Sequence, residues 1–176
     1  MRIPALDVNA ADFAPFGRVH HMTGHGADAD KDGGLVLTQG PGWQDAYTKA
    51  PLISTNGSLG ITFGGGSPFV THQMERHLHT EEALFTAGAA VVLAVAEAGD
   101  ATFPRAEDVR AFVINPGTAV VLHPGTWHDA CRGVDGPTNY YWMASCGGDG
   151  GPTWTDVAGG PVHAELQESS QGTQRG

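Results

Sequence analysis

The sequence predicts an all-β protein, a β-barrel or double-sheet jelly roll with short peripheral helices. Twenty-six glycines and eleven prolines are scattered through 176 residues, which favours many turns and short strands over long helices. Roughly eight stretches of strand-like composition follow one another, with turn signals about every 8–12 residues, as in sandwiches and barrels. These predicted strands are residues 58–63, 69–77, 83–87, 89–96, 109–115, 118–122, 127–132 and 139–145.

Two short helices and one hairpin are predicted outside these strands. Asn9 is a suitable N-cap for a helix over residues 9–13, and a second helix is predicted in the connection 104–109. A hairpin at residues 35–38 is predicted within a polar, glycine-rich stretch. We therefore expect an N-terminal segment (1–50) packed on the barrel, a barrel core (51–146) and a glycine-rich C-terminal arm (147–176) with a disordered end.

The composition excludes several classes of function. Nine Lys+Arg against nineteen Asp+Glu leave a net charge of −10, which argues against a nucleic-acid or membrane-surface partner. Cys131 and Cys146 make no disulfide framework. The N-terminus lacks the apolar core of a signal peptide, and the longest apolar run, 89–96, is too short to span a bilayer. These features predict a cytoplasmic protein.

One histidine-rich segment is the strongest chemical signal. His77 and His79 lie two apart at the end of a predicted strand, where alternation would place both on one face. A carboxylate in an otherwise apolar strand is costly unless it faces a cation, so Glu82 is a candidate ligand just downstream. Glu81 competes for this role, because alternation lets only one of the two point inward, and we favour Glu82.

A second cluster lies at residues 115–128. A glycine turn, a strand, a proline–glycine pair and then His128 follow the layout of the second half of a cupin metal site, with spacing that differs by one residue at two points. We predict that His128 joins His77, His79 and Glu82 around one ion. Such a set suits Ni, Fe, Mn, Co or Zn and leaves positions open for substrate.

Three segments resemble one family. Residues 12–19 (DFAPFGRV) are similar to the opening of the ureidoglycolate lyases, residues 74–77 (MERH) begin a second segment of that family, and residues 122–128 (LHPGTWH) match a third. The resemblance covers roughly residues 3–146. It implies a cupin-like β-barrel, a homodimer, a divalent metal (Ni, Zn, Mn or Fe) and cleavage of ureidoglycolate into glyoxylate and urea.

The chain also departs from the family pattern. Glu82 stands where the family has Gln, Leu78 where it has Pro, and Asp129 where it has a second His. Glu82 and His79 add candidate metal ligands, and an added anionic ligand would change which substrate the metal binds.

Three residues are predicted to be catalytic: His123 for proton transfer, Glu82 through the metal, and Arg76 as a clamp on the carboxylate of a small-molecule substrate. Arg76 has the opposite strand parity to His77, so it could instead leave the barrel. Trp127 and Tyr140 are predicted to line the substrate pocket.

Two other functions stay open at this point. One is another metal-dependent cupin enzyme, such as an isomerase, hydrolase or oxygenase, acting on a small carboxylate. The other is a non-catalytic ligand-binding barrel.

Overall fold

Strands dominate the part of the chain that a computed structural model describes, residues 1–22, 34–146 and 154–167. In chain order the strands of these residues are β1 (Arg2–Asp7), β2 (Gly17–His21), β3 (Leu35–Gly40), β4 (Trp43–Thr48), β5 (Ser58–Gly64), β6 (Phe69–Thr71), β7 (Gln73–Met74), β8 (Glu82–Phe85), β9 (Val91–Ala96), β10 (Arg110–Ile114), β11 (Thr118–Leu122), β12 (Trp127–His128), β13 (Arg132–Gly133), β14 (Thr138–Ala144), β15 (Thr155–Asp156) and β16 (Val162–Leu166).

Both predicted helices are present and short. Helix α1 spans Ala10–Phe13, and the side chain of Asn9 caps it by accepting a hydrogen bond from the backbone N–H of Asp12 at 2.9 Å. A single 3₁₀ turn spans Ala106–Asp108, within the predicted 104–109 connection. No helix of the described residues is long and apolar enough to cross a membrane.

Two sheets carry the fold. The larger one has the order β12-β9-β10-β1-β16-β6, with β13 also paired to β9, and β1 runs parallel to both of its neighbours. The smaller one has the order β2-β11-β8-β14-β5 and is antiparallel throughout. Two further pairs, β15 with β7 and β3 with β4, are two-stranded. This is the all-β, cupin-like fold that the sequence predicts.

The main core lies between the two sheets. Strand β9 is buried along its whole length, with Val91, Leu93 and Val95 facing a cluster that includes Val120 and Leu122 of the opposite sheet. Its other residues enter a second apolar cluster on the outer face of the larger sheet. Burial on both faces explains why 89–96 reads as a continuous apolar run without alternation. The core thus fixes the position of the two sheets relative to each other.

Two predicted strands are interrupted. The stretch 69–77 is split into β6 and β7 and ends before His77, and 127–132 is split into β12 and β13. The sequence predicts that strand alternation continues to residue 79. This prediction is wrong, because the last strand before His77, β7, ends at Met74.

The terminal segments contribute to both sheets. From residues 1–50, β1 lies inside the larger sheet, β2 forms an edge of the smaller one, and β3 and β4 make a hairpin longer than the predicted 35–38. From the predicted C-terminal arm, β16 pairs with β1 and β6. Residues 147–153 and 168–176, including the end predicted to be disordered, lie outside the described residues.

Candidate active site

A short antiparallel pairing brings Glu75 and His77 alongside β12. The backbones of Glu75 and His128 exchange two hydrogen bonds of 2.9 Å, and the N–H of Gly125 donates to the carbonyl of His77 at 2.7 Å. Residues directly opposite one another in such a pair project to the same side. Glu75 and His128 therefore share a face, and His77 is held in place two residues further along.

The three side chains converge on one point. Glu75, His77 and His128 each offer one ligand atom, and these atoms all lie within 4.8 Å of one another. Nε2 of His128 is 3.7 Å from Oε1 of Glu75, and the two imidazole rings have centroids 5.3 Å apart. His128 is buried, and the other two are half-buried.

Glu82 reaches the same point from the other sheet. It opens β8, where it pairs with Leu122 of β11 and Ala144 of β14. Its Oε2 lies 3.0 Å from Nε2 of His128 and 3.1 Å from Nε2 of His77. The group is therefore assembled where the two sheets meet, with Glu82 from one sheet and His128 from the other.

The chemistry of this group suits a cation. The Oε2 atoms of Glu75 and Glu82 are buried and accept no hydrogen bond of good geometry from the described residues. An unsatisfied buried carboxylate oxygen is costly. Nitrogen and oxygen ligands of one first-row ion, at about 2.0–2.2 Å from it, lie about 3–3.5 Å apart, as the Glu82–imidazole distances do. Two imidazoles and two carboxylates thus fit a divalent ion.

The electrostatics of the group follow from burial and charge. Burial raises the pKa of Glu75, although the two histidines oppose that shift. Burial would also raise the pKa of Glu82, but His128 and His77 outweigh it and hold the pKa of Glu82 below its ordinary value. For His128, burial disfavours the imidazolium, whereas Glu82 and Glu75 raise its pKa. The carboxylates therefore stabilise positive charge at this point.

The ring of His128 is oriented by backbone. Its Nδ1 lies 3.4 Å from the carbonyl oxygen of Thr126, to which it can donate, and this leaves Nε2 as the free nitrogen that faces Glu82. The adjacent Asp129 turns away, accepting hydrogen bonds from Thr71, Ala130 and Arg132.

The N-terminal motif braces the turn that precedes His128. The carbonyl of Phe16 accepts from the N–H of His123 at 2.9 Å and from the hydroxyl of Thr126 at 3.0 Å. The turn itself needs Gly125, whose φ of 87° lies in the left-handed region. Residues 12–19 thus contribute to the site by supporting its backbone.

His123 shares a small cleft with the group. It is exposed at the end of β11. The cleft is too narrow in this structure to admit a water molecule, and it is lined by His77, Thr80, Glu82, Leu122, His123, Thr126 and His128.

The remaining predicted residues lie elsewhere. His79 is in the bend after His77, is exposed, and does not join the group, because the chain has already left the strand. The guanidinium of Arg76 stacks over the Trp127 ring at 4.3 Å and donates to the carbonyl of Gly99. Tyr140 lies in the main core, where burial raises its pKa. Substrate contacts by Arg76, Trp127 and Tyr140 stay predictions.

Glu81 and Glu82 point in different directions. The carboxylate of Glu81 accepts from the Arg18 guanidinium and from the N–H of Ser54 at 2.6 Å. Arg18 is the largest cause that lowers the pKa of Glu81 to about 2. Glu81 thus forms an ion pair with Arg18, whereas Glu82 contacts His77 and His128.

Glu75 is the group member that the sequence reading missed. The signal was available, because alternation along 69–77 places Glu75 on the same face as His77. Its pairing with His128 depends on the sheet register, which spacing alone does not reveal.

A larger cleft of about 710 Å³ has Trp127 among its lining residues. Two arginines line it: Arg105 is paired with Glu107 and Asp108, and Arg110 donates to the backbone carbonyls of Glu107 and Val109. It contains none of the histidines, so the smaller cleft is the candidate site.

The fold and the site together define a cupin-like barrel in which two histidines and two glutamates, a donor set that suits a divalent ion, converge between the sheets. A family model described as ureidoglycolate lyase matches residues 1–152. The chain belongs to the ureidoglycolate lyase family and is an enzyme of the lyase class. A search of the curated proteins finds no match to the chain.

Proposed function

We propose that the chain cleaves ureidoglycolate into glyoxylate and urea at the Glu75–His77–Glu82–His128 group, which holds a divalent first-row metal. The observation that carries the proposal is the convergence of ligand atoms of Glu75, His77 and His128 within 4.8 Å of one another, with Oε2 of Glu82 3.0–3.1 Å from both imidazoles. A bound ion of this kind acts as a Lewis acid on substrate oxygens and lowers the pKa of a hydroxyl.

The reaction needs one proton to move. In ureidoglycolate the hydroxyl and the urea nitrogen are attached to the same carbon. Loss of the hydroxyl proton forms the C=O of glyoxylate as the C–N bond breaks, and the departing nitrogen takes up a proton to give urea. The balance involves no water, so one imidazole can accept the first proton and supply the second.

His123 is the residue that we assign to this transfer. It lines the cleft beside His77 and Glu82 and is exposed enough to exchange protons with solvent. A well-placed general acid–base typically contributes about 10²–10⁴-fold to the rate. The carbonyl of Phe16 fixes the backbone of His123, which positions the ring at the mouth of the cleft.

The test combines metal analysis of the purified protein with an assay of glyoxylate release from ureidoglycolate. The proposal expects a bound first-row metal, loss of activity on chelation and recovery when the metal returns. His123→Ala should keep the metal and lose most of the rate. Absence of first-row metal together with activity that chelation leaves unchanged would overturn the metal role.

A second candidate is a metal-dependent reaction on another small carboxylate. The observation that favours it is Glu82, which stands where family members have Gln and which contacts both histidines. An added carboxylate changes the charge of the site and hence the ligands it accepts. A metal-loaded protein without activity on ureidoglycolate, but with activity on a related hydroxy acid, would favour this reading.

A further inference from the structure

Arg76 lies in the chain between two members of the group, Glu75 and His77, but its side chain takes the opposite face. Glu75 is bridged to His128 by two backbone hydrogen bonds. The next pair, Arg76 and Trp127, is of the kind that exchanges no backbone hydrogen bonds and brings side chains closest together. The Cζ atom of Arg76 lies 4.3 Å from the centroid of the Trp127 ring. One face of this short pairing thus presents the ligands, and the other joins an arginine to a tryptophan.

Trp127 is held firmly by the larger sheet. Its side chain is 4% exposed and belongs to the second apolar cluster, and its backbone pairs with Ala96 at the end of β9. Nη1 of Arg76 also donates a hydrogen bond to the carbonyl of Gly99, in the loop after β9, at 3.2 Å. One guanidinium therefore connects segment 75–77 to a buried ring on β12 and to the loop that follows β9.

Segment 75–77 has little other support from the backbone. Strand β7 ends at Met74, and the pairing of the segment with β12 is a single bridge. In the part of the chain that the structure describes, its backbone makes two hydrogen bonds with His128 and accepts one from Gly125. Short segments with few such bonds open locally more readily than core strands. The contacts of the Arg76 side chain are therefore a substantial part of what fixes the segment.

We propose that Arg76 is a positioning residue for the metal group: its contacts with Trp127 and Gly99 hold the neighbouring ligands against β12. Arg76 does not line the small cleft, so it acts through the backbone of Glu75 and His77 and does not touch the substrate. The inference rests on the proposed metal-binding role of the group, but the attachment of the segment can be measured without metal.

The first test is amide hydrogen exchange in the metal-free protein. Arg76→Ala should speed exchange at the amides of Glu75, His128 and Gly125, which donate the three hydrogen bonds of the segment. The expected increase is at least about 5-fold, since both a cation–π contact and a hydrogen bond are lost. Exchange in the core strands β9 and β10 should be unchanged, which distinguishes local opening from a general loss of stability.

The matched control is Arg110→Ala. The guanidinium of Arg110 also donates to backbone carbonyls, those of Glu107 and Val109, but it has no contact with segment 75–77. Exchange at the three amides should be the same in this variant as in wild type.

The second test distinguishes positioning from substrate binding. Titration against a competing chelator should show that Arg76→Ala weakens metal binding about 10–100-fold, the usual cost of losing a supporting contact, and that Arg110→Ala does not. At saturating metal, the KM of Arg76→Ala for ureidoglycolate should stay near the wild-type value. An arginine that instead clamps the substrate carboxylate would raise KM on substitution and leave metal affinity unchanged.

The clamp result would overturn the proposal. So would unchanged exchange at the three amides in Arg76→Ala, or equal effects of Arg76→Ala and Arg110→Ala. A wild-type protein that binds no metal would refute the proposed function instead, and exchange in Arg76→Ala would still decide whether Arg76 holds the segment in place.

Discussion

At the scale of single residues, two pairs of neighbours have opposite environments. His77 contacts Glu82, whereas His79 is exposed. Glu82 contacts two imidazoles, whereas Glu81 is paired with Arg18. Residue type and local sequence are nearly the same within each pair, so each offers a matched comparison between a residue in the group and one outside it.

The histidine pair tests the metal group. His77→Ala removes one ligand and should lower metal affinity at least about 100-fold, more than the loss of a supporting contact usually costs. His79→Ala should bind metal as wild type does. Metal titration followed by glyoxylate release measures both, and equal effects of the two substitutions would contradict the assignment.

Substitution of Glu82 or Glu81 distinguishes an effect on metal binding from an effect on the stability of the fold. Glu82→Gln should weaken metal binding, because it replaces the carboxylate that touches both histidines. Glu81→Gln should leave metal binding unchanged but lower the free energy of unfolding by about 1–3 kcal/mol, since it weakens charged hydrogen bonds to Arg18 and Ser54.

The stabilisation by Glu81 should depend on pH. Its pKa is about 2 in the folded chain against 4.5 as a free side chain, so the contribution is complete above about pH 4.5 and is lost as the pH falls toward 2. Urea unfolding should therefore separate wild type from Glu81→Gln at pH 7, and the difference should shrink progressively as the pH falls from 4.5 toward 2. A constant difference across this range would show that the carboxylate charge is not the cause.

At the scale of elements, the turn between β11 and β12 sets the position of the ligands. The N–H of Gly125 holds the carbonyl of His77, and Phe16 holds His123 and Thr126. Segment 12–19 therefore supports the backbone of the site. Its side chains do not reveal this role, because the backbone carbonyl of Phe16 accepts the hydrogen bonds.

Gly125→Ala tests this role. A side chain at φ 87° is strained, and the new Cβ would lie 3.4 Å from that of Ala98. We expect a loss of about 1–2 kcal/mol in unfolding free energy and weaker metal binding through the displaced His77. The control is Gly88→Ala, where a Cβ meets nothing within 4 Å. If both substitutions behave alike in thermal unfolding and metal titration, the turn does not position the ligands.

The elements also show what could be predicted from the sequence. The spacing of His77, Glu82 and His128 was sufficient to find three members of the group, since turn residues and apolar stretches mark the strands that carry them. The sequence predicts His79 as a ligand instead of Glu75 because β7 ends at Met74, with only a single bridge at Glu75, and local spacing does not report where a strand ends. The position of Arg76 over Trp127 follows from the antiparallel pairing of Glu75 with His128, which places residue 76 opposite residue 127, and no local pattern encodes that register.

At the scale of the whole molecule, the group links the two sheets. Glu82 belongs to the smaller sheet and His128 to the larger one, so an ion held by both connects the layers that enclose the core. A ligand that binds only the folded state stabilises it, by about 2.7 kcal/mol at a hundredfold excess over its dissociation constant.

Chelation should therefore lower the melting temperature. For a chain of this size the expected change is about 5–10 °C, reversed when metal is returned. The variant His77→Ala should melt at the same temperature with and without chelator. If chelator leaves the melting temperature of the wild-type protein unchanged, no ion joins the two sheets.

The most direct test is a crystal structure of the purified protein with anomalous data at the absorption edge of the metal it contains. One anomalous peak is expected between the sheets, at bonding distance from Nε2 of His77, Nε2 of His128 and an oxygen of each of Glu75 and Glu82. A peak at other residues, or none in protein that releases glyoxylate at its full rate, would contradict it.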